Sequence, residues 1–275
     1  MRYLYLSMDS FIVLIRWLLP LAYLSCLWFY GQLFFSADES KQNRWAKLNL
    51  AVALILHTCL IFALAARYQR CPLWTQGEAL LFLAWMLAIV HVVSEWSAST
   101  RRLGLFTLGP AAVCAIAALS FLGRDLMLDP EYRSSWFIFH IVASLTAYAA
   151  FSMAAVLAAL YLTLYRKLKY KNFDLTFRKL PPLDKLDKLS ATWSFLGTLL
   201  MLSSSVIGAW WVRRDSLKGM SPREIGIFLV LALFLFAAVS RRVLGWRGRQ
   251  HAIWVLIGFG ALVLANLAGL HGFHF

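Results

Sequence analysis

Apolar residues fall in eight long runs separated by shorter polar or charged stretches. The runs cover roughly 11–35, 47–66, 78–96, 103–122, 135–165, 190–212, 224–240 and 251–270. About 20 apolar residues in a helix cross the hydrocarbon core of a bilayer. The pattern therefore predicts an all-α fold: a polytopic bundle of about eight transmembrane helices forming a single integral membrane domain over 1–275. The fifth run is long enough to protrude into water on one side. The connections SADESKQNRW, RYQRCPLWTQG, SASTRR, GRDLMLDPEYRSS, RRDSLKGMSPRE and RRVLGWRGRQ carry the polar punctuation. Within the connection after the sixth run, Ser221, Pro222 and Glu224 read as the N-cap, first and third positions of a helix start. There is no internal repeat and no low-complexity segment.

Composition agrees with this pattern. The chain is 61% hydrophobic and 15% charged, with a mean hydropathy of +0.68, too few charges to cover a soluble domain of this size. The formal charge of +14 would suggest nucleic acid in a soluble protein. In a membrane protein it reads as basic loops against an anionic leaflet, with lipid rather than nucleic acid as the partner. Cys26, Cys59, Cys71 and Cys114 are scattered and form no CxxC pair, so neither a disulfide framework nor a thiol-redox motif is expected. The first run carries Arg16 and lacks a small-residue cleavage site, so no cleaved signal peptide is expected.

Eight spans place both termini on one side. Connections after the first, third, fifth and seventh runs hold 17 Lys and Arg, and the N-terminal segment and remaining connections hold nine. By the positive-inside rule both termini lie outside, which in a bacterial inner (cytoplasmic) membrane means the periplasm. The longest inner connection, RKLKYKNFDLTFRKLPPLDKLDK, mixes charges and carries a Pro pair, and reads as a solvated surface segment.

The polar residues within this apolar frame are the candidates for chemistry. His271 ends the last run, and His274 follows it. His140 lies near the start of the fifth run, which on this topology enters from the same outer side. Two imidazoles from different helices at one depth can hold a planar iron porphyrin from opposite faces; the alternative is that each is an interfacial histidine bonded to a loop. His57 lies midway along the second run, where an ionisable residue is a functional candidate by default; the alternative is a neutral histidine bonded to a Ser or Thr of another helix. His91 can pair with Glu95. His251 reads as a solvated or headgroup residue. Trp210 and Trp211 close the sixth run at the outer surface, with Trp74 and Trp136 on the same side; they suit a porphyrin wall or an ordinary aromatic belt. Outer arginines, Arg213 and Arg214 among them, suit haem propionates or lipid phosphate. There is no GxxxxGK[ST], HExxH or GxSxG motif, no inverted repeat of the transporter kind and no nucleophile–base pair. No enzyme is expected.

These stretches resemble a known family. GWRGRQHAIWVLIGFGALVLANLAGLH, Gly245 to His271, resembles the last loop and helix of the cytochrome c assembly family, the CcsA/ResC-like superfamily. HTCLIFALAARY followed by GEALLFLAWMLAIVHVVSE is similar to its second and third helices. HIVASLTAYAAFSMAAVLAALYL, His140 to Leu162, looks like the helix that carries an external haem-ligand histidine. The resemblance runs from about residue 50 to the C-terminus. It implies His140 and His271 as external iron ligands, and His57 as one of two intramembrane haem histidines. The second of these should lie just before GWRGR, where this chain reads AAVSRRVLGWRGR without a histidine. GAWWVRRDSLKGMSPREI keeps the GAxW opening and a Pro-Arg-Glu but lacks the family's tryptophan-rich core. Both absences place the chain nearest the HemX/YpjD-like branch.

The reading that results is a membrane haem-binding or haem-handling protein of cytochrome c assembly or tetrapyrrole metabolism. It would hold non-covalent haem b at the outer face between His140 and His271. Trp210 and Trp211 would flank the ring, Arg213 or Arg214 would meet a propionate, and His57 would mark an inner position. A periplasm-facing assembly subunit or an apocytochrome is the implied partner. The alternative is a haem-free accessory protein that regulates a tetrapyrrole enzyme or scaffolds an assembly complex through the basic segment 166–189.

Overall fold

A computed structural model describes residues 2–36, 39–98, 101–121, 134–214 and 222–271. Every regular element among them is helical. In chain order these are α1 (Arg2–Phe35), α2 (Glu39–Tyr68), α3 (Gln76–Ala98), α4 (Gly104–Thr107) and α5 (Gly109–Leu119), followed by α6 (Ser135–Lys169), α7 (Leu175–Lys179), α8 (Leu183–Arg214), α9 (Pro222–Val243) and α10 (Arg249–His271). Eight stretches are long and apolar enough to cross a membrane, so the chain is a multi-pass membrane protein.

The fourth span is composite. A three-residue 3-10 turn at Arg101–Leu103 leads into α4, and α5 begins with Pro110 in its first turn, where a missing N–H costs nothing. The fifth span, α6, has 35 residues. At 1.5 Å per residue that is about 50 Å, well beyond a hydrocarbon core of about 30 Å. The long connection after α6 contains the short α7, capped by Asp174, whose side chain accepts from the Phe177 amide. Lys167, and then that amide, hold the Asp174 carboxyl below its ordinary value. As expected from Pro222, α9 starts there; Ser221 lies outside the described residues.

The chain forms two compact units, Met1–Ile138 and Phe139–Phe275. In the first, polar side chains tie helix ends. Arg16, inside the first span, sends Nη2 to the Leu119 carbonyl at 2.6 Å. That carbonyl ends α5 and sits at the negative end of the helix dipole. The start of α3 is a capping box. Glu78 N donates to Thr75 Oγ1 at 3.1 Å, and the Thr75 amide donates back to Glu78 Oε2 at 3.2 Å. Arg70 grips the same carboxylate with two nitrogens, each at 2.9 Å. Gly104 is needed where α1 passes: a Cβ there would lie 2.0 Å from the Tyr30 ring.

The second unit packs through small residues and one aromatic layer. Phe151 of α6 stacks on Phe234 of α9, with centroids 3.7 Å apart and planes 13° from parallel. Gly197 of α8 and Gly258 of α10 make room for these rings. Without a hydrophobic drive between helices in lipid, such close packing is what holds them. Ser190 of α8 adds an interhelical bond to the Ala154 carbonyl at 2.9 Å. At one end of the unit, Asp187 of α8 ties its neighbours together. It accepts from Arg241 of α9 at 2.9 and 2.7 Å, and from the Gly248 amide at 2.9 Å. The GWRGR segment turns on Gly245 and Gly248, both with positive φ, a region L side chains rarely enter.

Candidate functional site

At the opposite end of the second unit, α6 begins and α8 ends, and His140 meets Ser204 there. The His140 Nδ1 lies 2.8 Å from the Ser204 carbonyl. A carbonyl only accepts, so Nδ1 carries the proton and the ring's lone pair is on Nε2. The Ser204 hydroxyl is 2.9 Å from the same nitrogen and donates to the His140 carbonyl at 3.1 Å. It also hydrogen-bonds the Ser144 hydroxyl, one turn along α6. Gly208 lies against the ring: a Cβ there would come within 2.9 Å of His140 Cε1. Backbone, two hydroxyls and an absent side chain together fix one tautomer and one orientation. Metal-binding histidines are held in this way, by a hydrogen bond at the nitrogen that does not ligate.

His271 is the last residue of α10. Gly226 of α9 meets Ala265 of α10, so α10 runs antiparallel to α9 and finishes at the end where α9 starts. That is also the end where α8 finishes and His140 sits. The side chains of His271, Trp211, Arg213 and Arg214 lie outside the described residues, as does the whole of His274. Trp210 is described and exposed.

His57 belongs to the first unit. It is fully buried, and its Nδ1 lies 2.8 Å from the Tyr23 hydroxyl of α1. The rings meet edge to face, with centroids 5.7 Å apart. The Leu81 carbonyl of α3 faces the imidazole, but Nε2 makes no hydrogen bond among the described residues. A Ser or Thr was the expected alternative partner. A tyrosine takes that place, Tyr23 on the buried face of α1. His91 pairs with Glu95 at 3.4 Å, as anticipated.

His251 departs from expectation. It is 2% exposed rather than solvated, because one early turn of α10 packs it against the α9 backbone, where the Ala237 carbonyl faces it. Neither ring nitrogen makes a hydrogen bond among the described residues. Sequence reasoning also missed Tyr23, Ser204 and Asp187 as partners. The capping box was legible as T-x-x-E at Thr75–Glu78. Nothing local pairs residues 34 to 64 positions apart. Among the described residues there is no group of three or more His, Cys, Asp or Glu that could hold a metal ion.

Comparison with known proteins supplies the family. The model of the cytochrome C assembly protein family matches residues 73–270, which takes in His140 and Gly208. The cytochrome c biogenesis protein CcsA of Chlorella vulgaris is 27% identical over 261 residues, covering 79% of this chain and 82% of the relative. Protein HemX of Bacillus subtilis (strain 168) is 24% identical over 248 residues, covering 87% and 90%. The CcsA protein of Synechococcus elongatus is 25% identical over 286 residues, covering 82% and 87%. With the matched region running from the start of α3 almost to the end of α10, the chain belongs to the cytochrome c assembly protein family.

Proposed function

We propose that this protein is a membrane component of cytochrome c biogenesis that binds haem b non-covalently between His140 and His271 at one rim of its second unit. The observation that carries this reading is the fixed His140 ring. Its proton is committed to the Ser204 carbonyl, which leaves the ligating lone pair on Nε2, as an axial iron ligand requires. The donor set fits a haem rather than a naked metal ion, because a porphyrin supplies four of the six ligands and asks only two of the protein. His271 ends α10 at the same rim.

In this reading Trp210 and Trp211 flank the ring, and Arg213 or Arg214 meets a propionate. His57 marks a second, interior position. A bound haem would supply one-electron redox chemistry, and His140 and His271 would be the residues that hold it. The protein catalyses no covalent reaction itself. It holds haem at the non-cytoplasmic face of a bacterial inner membrane, both termini on that side, for an apocytochrome or a partner assembly subunit. The names of the CcsA relatives support the pathway.

The test is an absorbance titration of detergent-purified protein with haem b. A Soret band is expected that His140→Ala combined with His271→Ala removes. A band that the double variant leaves unaltered, or no band at all, overturns the reading. In the latter case the haem-free alternative gains. It rests on the exposed Tyr170 and Phe173 beside Lys169 and Lys171, and predicts partner capture that depends on the charges of residues 166–189.

A further inference from the structure

The first unit buries a second set of titratable side chains that haem binding does not use. His91 and Glu95 lie one turn apart near the end of α3, 1% and 9% exposed. His91 Nε2 is 3.4 Å from Glu95 Oε2. Tyr30 of α1 donates to the same oxygen at 2.8 Å, and its ring stands edge-on to His91 with centroids 5.2 Å apart. Lys47 of α2 comes within 3.5 Å of Glu95 Oε1, with half of its side chain exposed. Thr107 of α4 closes the far side, its Oγ1 at 2.7 Å from His91 Nδ1. Cys26, buried one turn before Tyr30, is the other titratable group on that stretch of α1.

Counting protons here leaves one unassigned. The Thr107 hydroxyl donates to the Leu103 carbonyl at 3.0 Å. With its only proton used there, the short contact to His91 requires Nδ1 to be the donor. Nε2 then faces a carboxylate oxygen. A lone pair and a carboxylate set against each other inside a low-dielectric bundle repel, and one proton placed on either atom turns the contact attractive. Neither Nε2 nor Oε1 makes a hydrogen bond among the described residues; the carboxylate has Tyr30 and Lys47 beside it, and Nε2 has only the carboxylate.

We propose that His91 and Glu95 form a proton-binding site that takes up one exchangeable proton from the membrane face at which Lys47 lies. Tyr30 anchors the carboxylate and Thr107 anchors the imidazole, so the proton moves between two fixed atoms. Lys47 is the link to water: it is the half-exposed member of a buried group. Ionisable residues placed this way within a span mark proton or ion pathways more often than they stabilise. Gly104 gives the site its shape, because any larger residue there would displace Tyr30. Two turns back along α1, Tyr23 reaches His57. Its existence does not depend on haem.

The experiment is a pH titration of the full chain in detergent from about pH 5 to about pH 9, a range that brackets a histidine. Imidazole 15N shifts report His91, and infrared difference spectra report Glu95. The two signals are expected to change at one shared midpoint. In Glu95→Gln, His91 is expected to lose proton affinity by at least about tenfold. Tyr30→Phe, which keeps the shape, is expected to shift the shared midpoint upward, because the carboxylate loses its donor. An unchanged His91 midpoint in both variants overturns the proposal. So does a Glu95 signal that stays silent while His91 titrates.

Discussion

His57 in the first unit and His140 in the second are both held at Nδ1, at the same 2.8 Å, yet by oxygens of different chemistry. The Tyr23 hydroxyl can donate or accept, so it permits either tautomer of His57. The Ser204 carbonyl can only accept, so it permits one tautomer of His140. The surroundings differ in the same sense. His57 is enclosed in apolar helix and reads as a residue waiting for a partner. His140 sits at a rim, wedged by Gly208, with its free choice of tautomer removed. Burial alone therefore does not rank the two as ligand candidates; the kind of acceptor does.

Breaking the wedge is the largest expected effect. Gly208→Val puts a branched side chain where a single Cβ already comes within 2.9 Å of the ring. Overpacking of this kind costs about 1–3 kcal/mol, and the displaced imidazole weakens haem binding at least about tenfold in a Soret titration. The same substitution is silent at His57, which lies in the other unit, and an unchanged haem affinity breaks the proposed role of Gly208.

Next in size is Tyr23→Phe. It removes the hydrogen bond at Nδ1 of a fully buried imidazole, and an unsatisfied buried polar group costs about 1–3 kcal/mol. Thermal unfolding in detergent should register this as a lower midpoint, while the His140 site keeps its haem affinity. The smallest effect sharpens the contrast from the other side. Ser204→Ala deletes a hydroxyl but keeps the backbone carbonyl, so His140 retains its proton and orientation. Loss of one interhelical hydroxyl contact is worth about 0.6 kcal/mol on average in a membrane. A change in haem affinity as large as that of Gly208→Val would mean that the hydroxyl, not the carbonyl, fixes the ring.

Some of this was readable without coordinates. Each membrane crossing needs its own apolar run, so the eight runs gave eight spans. Pro222 marked a helix start because its missing N–H is tolerated only there. The failures are as instructive. His251 stands beside a basic loop in sequence and was read as solvated, yet α9 covers it. The fourth run looked like one helix, and Gly109-Pro110 divides it. Nothing in the sequence pairs Asp187 with Arg241, and they form one bidentate pair.

What the sequence determined by itself is what the bilayer enforces locally: helix for every crossing, because lipid offers no partner for a bare backbone polar group, and histidines placed at known depths along those helices. Which oxygen meets which imidazole was decided only by the tertiary structure. Ser204 lies 64 residues from His140, and Tyr23 lies 34 from His57. Lipid makes every apolar helix face nearly equivalent, so neighbours are chosen by close fit between small residues and rings, and that fit exists only once the helices are side by side.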